Sequence, residues 1–204
     1  MTRRVVLLHG LWMPGLAMLW LAARLKARGF TAQTCGYHSI VGGPDSAAPR
    51  LAAFLRRAPC DVVAHSLGGL VALETLTRHP DLPVRRLVCL GTPLAGSGAA
   101  SRLGRWPLAS LWMGRSAELL RRGCATWPGT VQVGMVAGRI PRGLGAFVAG
   151  FDELHDGTVS VSETRVPGLA DHVVVGASHS GLMFSDEAAR QVAEFLEHGR
   201  FVQP

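Results

Sequence analysis

Three side chains far apart in the chain carry the types that nucleophilic catalysis needs: Ser66, Asp156 and His179. A serine hydroxyl is a poor nucleophile until a base takes its proton, and that base is normally a histidine oriented by a carboxylate. Ser66 stands in Asp61-Val62-Val63-Ala64-His65-Ser66-Leu67-Gly68-Gly69-Leu70-Val71. Val62, Val63 and Ala64 form a short apolar run suited to a central parallel strand. Leu70, Leu73, Leu76 and Thr77 then recur at helical spacing. A serine between such a strand and such a helix, flanked by small residues at Ala64 and Gly68, fits a strained turn that exposes its hydroxyl above the sheet. The usual pattern is G-x-S-x-G. Here Ala64 takes the place of the first glycine, and alanine still meets a demand for smallness.

Ligands of a parallel sheet bind beyond the carboxyl ends of its strands, so the partners of Ser66 belong on loops after later strands. The order Ser, acid, His is expected. His179, in Gly176-Ala177-Ser178-His179-Ser180-Gly181, follows the last strand directly and is the best base. His155 and His172 compete, but His172 lies at the wrong end of its strand and His155 adjoins the acid. Asp156, in Leu154-His155-Asp156-Gly157-Thr158-Val159, is the best acid, because Asp-Gly suits a tight turn with a carboxylate at its tip. Asp152 and Glu153 are its neighbouring rivals. The charge that develops on a carbonyl oxygen needs backbone N–H donors. Leu67, after the nucleophile, supplies one. Leu11, in the turn His9-Gly10-Leu11-Trp12 after the first strand, supplies the other. His9 then serves the hydrogen bonding of that turn.

The elements that must hold these residues are legible. Strands are expected at Val5 to Leu8, Thr31 to Cys35, Val62 to Ala64, Leu87 to Leu90, Val131 to Ala137 and Val173 to Val175. Helices are expected at Leu16 to Arg28, Ala47 to Arg57, Leu67 to Arg78, in pieces within Ala99 to Arg122, and at Asp186 to Glu197. Apolar strands alternating with helices predict an α/β fold: a doubly wound, mostly parallel six-stranded sheet with helices on both faces. Residues 1–204 read as one domain, without repeat or linker. The stretch at about 96–129 is too long for a plain crossover. It carries Trp106, Leu111, Trp112, Met113 and Trp127, broken by Gly104, Pro107, Gly114 and Gly123. It is expected to form a lid or acyl pocket, with Trp12 and Met13 facing Trp112 and Met113.

Composition removes several classes. A hydrophobic fraction of 48% excludes a disordered chain. The formal charge of +7 is nearly all arginine, Lys26 being the only lysine. No basic run is interleaved with aromatics, so nucleic acid is not an expected partner. A basic surface does allow transient contact with a lipid interface. Cys35, Cys60, Cys89 and Cys124 are scattered and read as free or buried thiols. No cluster has metal-ligand spacing, and Gly143-Leu144-Gly145 lacks the Lys-Ser/Thr of a phosphate loop. No metal and no cofactor is expected. The nearly uncharged stretch from Val5 to Ala23 imitates a signal peptide or membrane span. His9-Gly10 and Pro14-Gly15 interrupt it, and Val5 to Leu8 are needed as a strand, so a cytoplasmic location is expected.

With these residues in place, the chain resembles the α/β-hydrolase superfamily, and within it the small bacterial lipases and lipase-like proteins of GPI-inositol-deacylase type. The matching segments are Val5-Val6-Leu7-Leu8-His9-Gly10, Val62 to Gly69, Leu90-Gly91-Thr92-Pro93 with Gly96-Ser97, Asp156-Gly157-Thr158-Val159, and His179 with Ser180-Gly181-Leu182-Met183. The resemblance implies Ser66 as nucleophile, His179 as base, Asp156 as acid, and Leu11 and Leu67 as oxyanion donors. It implies a serine hydrolase that cleaves carboxylic esters, with a small-molecule or lipid ester as substrate. Where relatives often carry His after Gly-Thr-Pro, this chain has Leu94. Two other classes use the same parts: an acyltransferase, which passes the acyl group to an alcohol, and a non-catalytic protein that keeps the site as a small-molecule pocket.

Overall fold

The computed structural model describes residues 3–11, 15–37, 43–98, 116–142 and 153–203. Its centre is a sheet of six parallel strands: β1 (Arg3–Leu8), β2 (Phe30–Thr34), β3 (Cys60–His65), β4 (Val84–Leu90), β5 (Gln132–Gly138) and β6 (Asp171–Val175). The spatial order is β2-β1-β3-β4-β5-β6. Among the described residues all five pairings are parallel, as the doubly wound reading expects. Parallel strands need crossovers, and helices supply the first four: α1 (Leu19–Lys26), entered through a 3₁₀ turn at Gly15–Met18, α2 (Gly43–Leu55), α3 (Leu67–Arg78) and α4 (Ala117–Arg122); a last helix, α5 (Asp186–His198), follows β6.

Alternation along the strands sorts the core into two layers. Val6, Leu8, Val62, Ala64, Leu87 and Cys89 face one side, with Leu51 and Leu55 of α2 and Leu70 and Leu73 of α3. Val5, Leu7, Val63, Val88, Leu90 and Val136 face the other, with Leu21 and Leu25 of α1 and Val192, Phe195 and Leu196 of α5. Both faces are thus covered, which is why the middle of β3, Val62 to Ala64, is apolar and the strand is buried throughout. At its amino end Asp61 is buried and held by a two-point contact from Arg85 (3.1 and 2.8 Å) and by Arg3 (3.2 Å).

The first strand lies between β2 and β3, so Val5 to Leu8, which open the apolar stretch, are sheet interior. Among the described residues no helix is long and apolar enough to cross a membrane. Within the stretch at about 96–129, residues 99–115 lie outside the described residues. What is described there is α4 and the buried Trp127, whose indole N–H donates to Val131 O (2.8 Å).

Candidate active site

Ser66 is the turn between β3 and α3. Its φ of 53° and ψ of −124° are the only positive-φ values at a non-glycine among the described residues. Such a conformation costs on the order of 1–3 kcal/mol and persists only where the surroundings enforce it. The surroundings here are specific. Ser66 N–H donates to Leu90 O at the end of β4 (2.9 Å), and Thr92 Oγ1 donates to Ser66 O (2.9 Å). The small residues that follow make this packing possible. A Cβ on Gly68 would stand 2.6 Å from His9 O, and one on Gly69 would stand 2.1 Å from Thr92 Oγ1.

His179 lies after β6, with its ring facing Ser66. Ser66 Oγ is 3.0 Å from His179 Nε2, and His179 Nδ1–H donates to Asp156 Oδ2 at 2.7 Å. Asp156 Oδ1 accepts from the backbone N–H groups of Thr158 (2.9 Å) and Val159 (2.8 Å). Asp156 N–H donates to Val159 O, which closes the turn. Gly157, at φ +95°, is the residue that lets it close. The backbone holds the base as well: His179 N–H donates to Asp156 O (2.8 Å). Asp156 is 1% and His179 8% exposed, so this pair is shielded while the Ser66 side stays open.

His65 supports the base from beneath. Its Nε2–H donates to His179 O (2.9 Å), and the two rings lie 4.8 Å apart at 52°. Burial, and next the neighbouring His179, lowers the pKa of His65 to about 3. The neutral ring with its proton on Nε2 is sufficient for this bond, and burial disfavours the charged form.

The sequence-predicted residues come together as follows. Ser66, His179 and Asp156 form one hydrogen-bonded line. Leu67 opens α3, and Gly10 brings the turn after β1 against Ser66, since a Cβ on Gly10 would stand 3.0 Å from Ser66 Cβ. Among the described residues neither Leu11 nor Leu67 has an acceptor for its N–H. His172 is remote from the line: its Nε2–H donates to Thr164 Oγ1 (2.9 Å) while that hydroxyl donates to Val161 O. Burial, and next Arg165, lowers its pKa to about 4. His155 Nδ1 accepts from Gly157 N–H (3.1 Å) within the acid turn. Trp12, Met13, Trp112, Met113 and Asp152 lie outside the described residues. The four cysteines are free thiols. Burial pushes Cys60 up to about 11 and Cys89 up to about 12, which suits packing and not nucleophilic attack.

Two supports were not singled out in the sequence for a role at the site. Gly91, at φ +57°, passes under the acid and base, and Thr92 braces the nucleophile turn. The signal was present in Gly-Thr-Pro directly after an apolar strand. Among the described residues no group of three or more His, Cys, Asp or Glu could hold a metal ion.

This sheet, with its serine turn after the third strand and its acid and base after the fifth and sixth, is the α/β-hydrolase fold. Solved structures share this fold with the chain. A pyrethroid hydrolase, PytH, aligns over 98% of this chain and 99% of its own, at 16% identity and a TM-score of 0.63. An extracellular α/β-hydrolase from a Paenibacillus species aligns over 95% and 97%, at 15% identity and 0.60. Phospholipase PlaB from Legionella pneumophila aligns over 80% of this chain at 18% identity and 0.60. The chain spans only 44% of that phospholipase. No family model and no curated protein matches the sequence.

Proposed function

We propose that this chain is a serine hydrolase that cleaves carboxylic esters, of lipase or esterase type, through an acyl-enzyme intermediate. The observation that carries the reading is the line from Ser66 Oγ through His179 to Asp156, at 3.0 and 2.7 Å, in a shielded site. His179 Nε2 takes the proton as Ser66 Oγ bonds to the ester carbonyl carbon. The carbonyl electron pair moves to oxygen, and that oxyanion is held by the N–H groups of Leu11 and Leu67. Its collapse breaks the bond to the alkoxide, which leaves with the proton from His179. Water then repeats the sequence on the acyl-Ser66 ester. Asp156 keeps the proton of the resting imidazole on Nδ1 and so leaves Nε2 free to act.

The fold shared with proteins named as a phospholipase, a pyrethroid hydrolase and a deformylase supports hydrolysis as the class of reaction. Within the reading, residues 1–204 are one catalytic domain. The stretch at about 96–129 walls an apolar acyl groove, with Trp112 and Met113 opposite Trp12 and Met13. Each buried methylene of an acyl chain is worth about 0.8 kcal/mol, so medium and long acyl esters, lipids at an interface included, are preferred over acetate.

The test is turnover of p-nitrophenyl esters from short to long acyl chains. Ser66→Ala and His179→Ala each lower it by roughly a million-fold, because the pair acts as a unit. Trp112→Ala with Met113→Ala weakens the long-chain preference and leaves acetate turnover nearly intact. Equal loss of both activities contradicts the groove.

A further inference from the structure

The turn that carries Leu11 is held from one side by a single aromatic residue. Tyr37, the only tyrosine of the chain, lies three residues past the end of β2 and reaches across to the end of β1. Its ring stacks on that of His9, with centroids 4.6 Å apart and planes 13° apart. Tyr37 Oη–H donates to His9 O (2.9 Å), and Tyr37 N–H points at His9 Nε2 (3.5 Å). The opposite ring nitrogen, His9 Nδ1, lies 2.9 Å from Gly10 O. A carbonyl only accepts, so Nδ1 carries the proton and Nε2 keeps the lone pair that faces Tyr37. His9 is 3% and Tyr37 8% exposed, so water does not compete for these bonds.

The consequence for chemistry comes from peptide geometry. In a trans peptide the C=O and the following N–H lie in one plane and point in opposite directions. Holding Gly10 O therefore aims Leu11 N–H. Holding His9 O fixes the preceding peptide plane. The two planes that set the direction of Leu11 N–H are thus both clamped, one by Tyr37 and one by His9. On the far side His9 O is pressed by α3, where a Cβ on Gly68 would stand 2.6 Å away.

We propose that Tyr37 is a positioning residue for oxyanion stabilisation, acting through His9 to aim the N–H of Leu11. This rests on the reading of Ser66 as nucleophile and Leu11 as donor. It predicts an effect on the transition state and not on substrate binding, because a ground-state carbonyl needs the donor less than an oxyanion does.

The experiment uses Tyr37→Phe, which keeps the stack and removes the bond to His9 O, with a p-nitrophenyl ester as substrate and phenylboronic acid as inhibitor. The boronate forms a tetrahedral, negatively charged adduct on a serine and so depends on the oxyanion donors. Removing a donor outright costs 10²–10³-fold, so loosening one is expected to cost about tenfold in kcat. KM stays within about twofold, and Ki for the boronate rises by the same factor as kcat falls. The second pair of variants separates aim from packing. His9→Asn retains a donor near the Nδ1 position and loses the stack, whereas His9→Phe retains the stack and loses the donor. His9→Asn is expected to keep more kcat than His9→Phe.

The reverse ranking overturns the proposal. So does a Tyr37→Phe protein with unchanged kcat and Ki, or a fall in kcat that merely tracks the loss of folded protein. Wild-type turnover that Ser66→Ala abolishes, alongside a silent Tyr37→Phe, removes this proposal alone. A wild type without turnover removes the site and the proposal together.

Discussion

A Cβ at Gly91 would stand 3.1 Å from both Asp156 Oδ2 and His179 Nδ1, and 2.9 Å from Leu182 Cδ1. The backbone there also has φ +57°, which a side chain tolerates poorly. Gly91→Ala is therefore expected to push the acid and base apart. A displacement near 1 Å is worth about a hundred-fold in rate, so kcat falls by about that factor, and KM measured alongside it changes little. An unchanged kcat would show that the pair has slack. At the acid itself, Asp156→Asn is expected to cost on the order of ten-thousand-fold by spoiling the imidazole tautomer, while Asp152→Asn is close to neutral. Steady-state rates of the two variants decide it, and the reverse ranking moves the acid. Ser66, Asp156 and His179 were legible because polar residues at strand ends and tight turns have few packing explanations. Gly91 and Thr92 stood out only as part of a Gly-Thr-Pro segment and Tyr37 not at all, because what they do depends on which backbone they meet across the sheet.

The loop that carries Asp156 is braced as a unit. Glu163 Oε2 accepts from Ser160 N–H (2.8 Å), and its other oxygen accepts from Gly98 N–H. Its carbonyl takes Ala95 N–H (2.8 Å). One glutamate therefore joins the acid loop to the loop after β4, where the proposed acyl wall begins. Glu163→Ala leaves two backbone donors without their acceptor, and each such loss costs about 1–3 kcal/mol where water cannot fully replace it. Chemical denaturation should show a loss of about 2 kcal/mol. A loss below about 0.5 kcal/mol, the ordinary range for a surface change, would show that the brace is redundant.

Every expected strand forms, but most run longer than their apolar runs. Arg3 and Arg4 and Val84 to Arg86 join β1 and β4 through pairing with neighbours, a signal that hydropathy does not carry. The second helix starts at Gly43, four residues before the apolar repeat, with Pro44 and Asp45 at its opening as helix starts favour. In the stretch at about 96–129 glycine and proline break the periodicity, so the sequence sets no helix bounds there.

At the scale of the molecule, buried histidines couple folding to pH. His65 has a folded pKa of about 3 and His172 of about 4, against about 6.5 in an unfolded chain. Both are depressed, so the unfolded chain binds more protons below about pH 6.5. The stability they contribute is complete above that pH and is lost as pH falls through the folded values. For His65 burial is the main cause, and the neighbouring His179 and His9 add to it while Asp156 opposes it. The slope attributable to one such proton is about 1.4 kcal/mol per pH unit. Between pH 6 and 4, as an approximate window, His65→Asn should have a shallower stability slope than wild type by about that amount. Equal slopes would show that His65 takes up no extra proton on unfolding.

The same sheet that buries these groups carries Ser66 to its carboxyl edge, and the proposed chemistry stands or falls on that one hydroxyl. The most direct measurement is the site of covalent labelling by a fluorophosphonate, read by mass spectrometry of the digested protein. One adduct per chain is expected, on the peptide containing Ser66, with loss of ester turnover in step with labelling. His179→Ala should remain folded and label far more slowly. An adduct on any other serine, or a fully labelled protein that still turns over esters, would contradict the assignment.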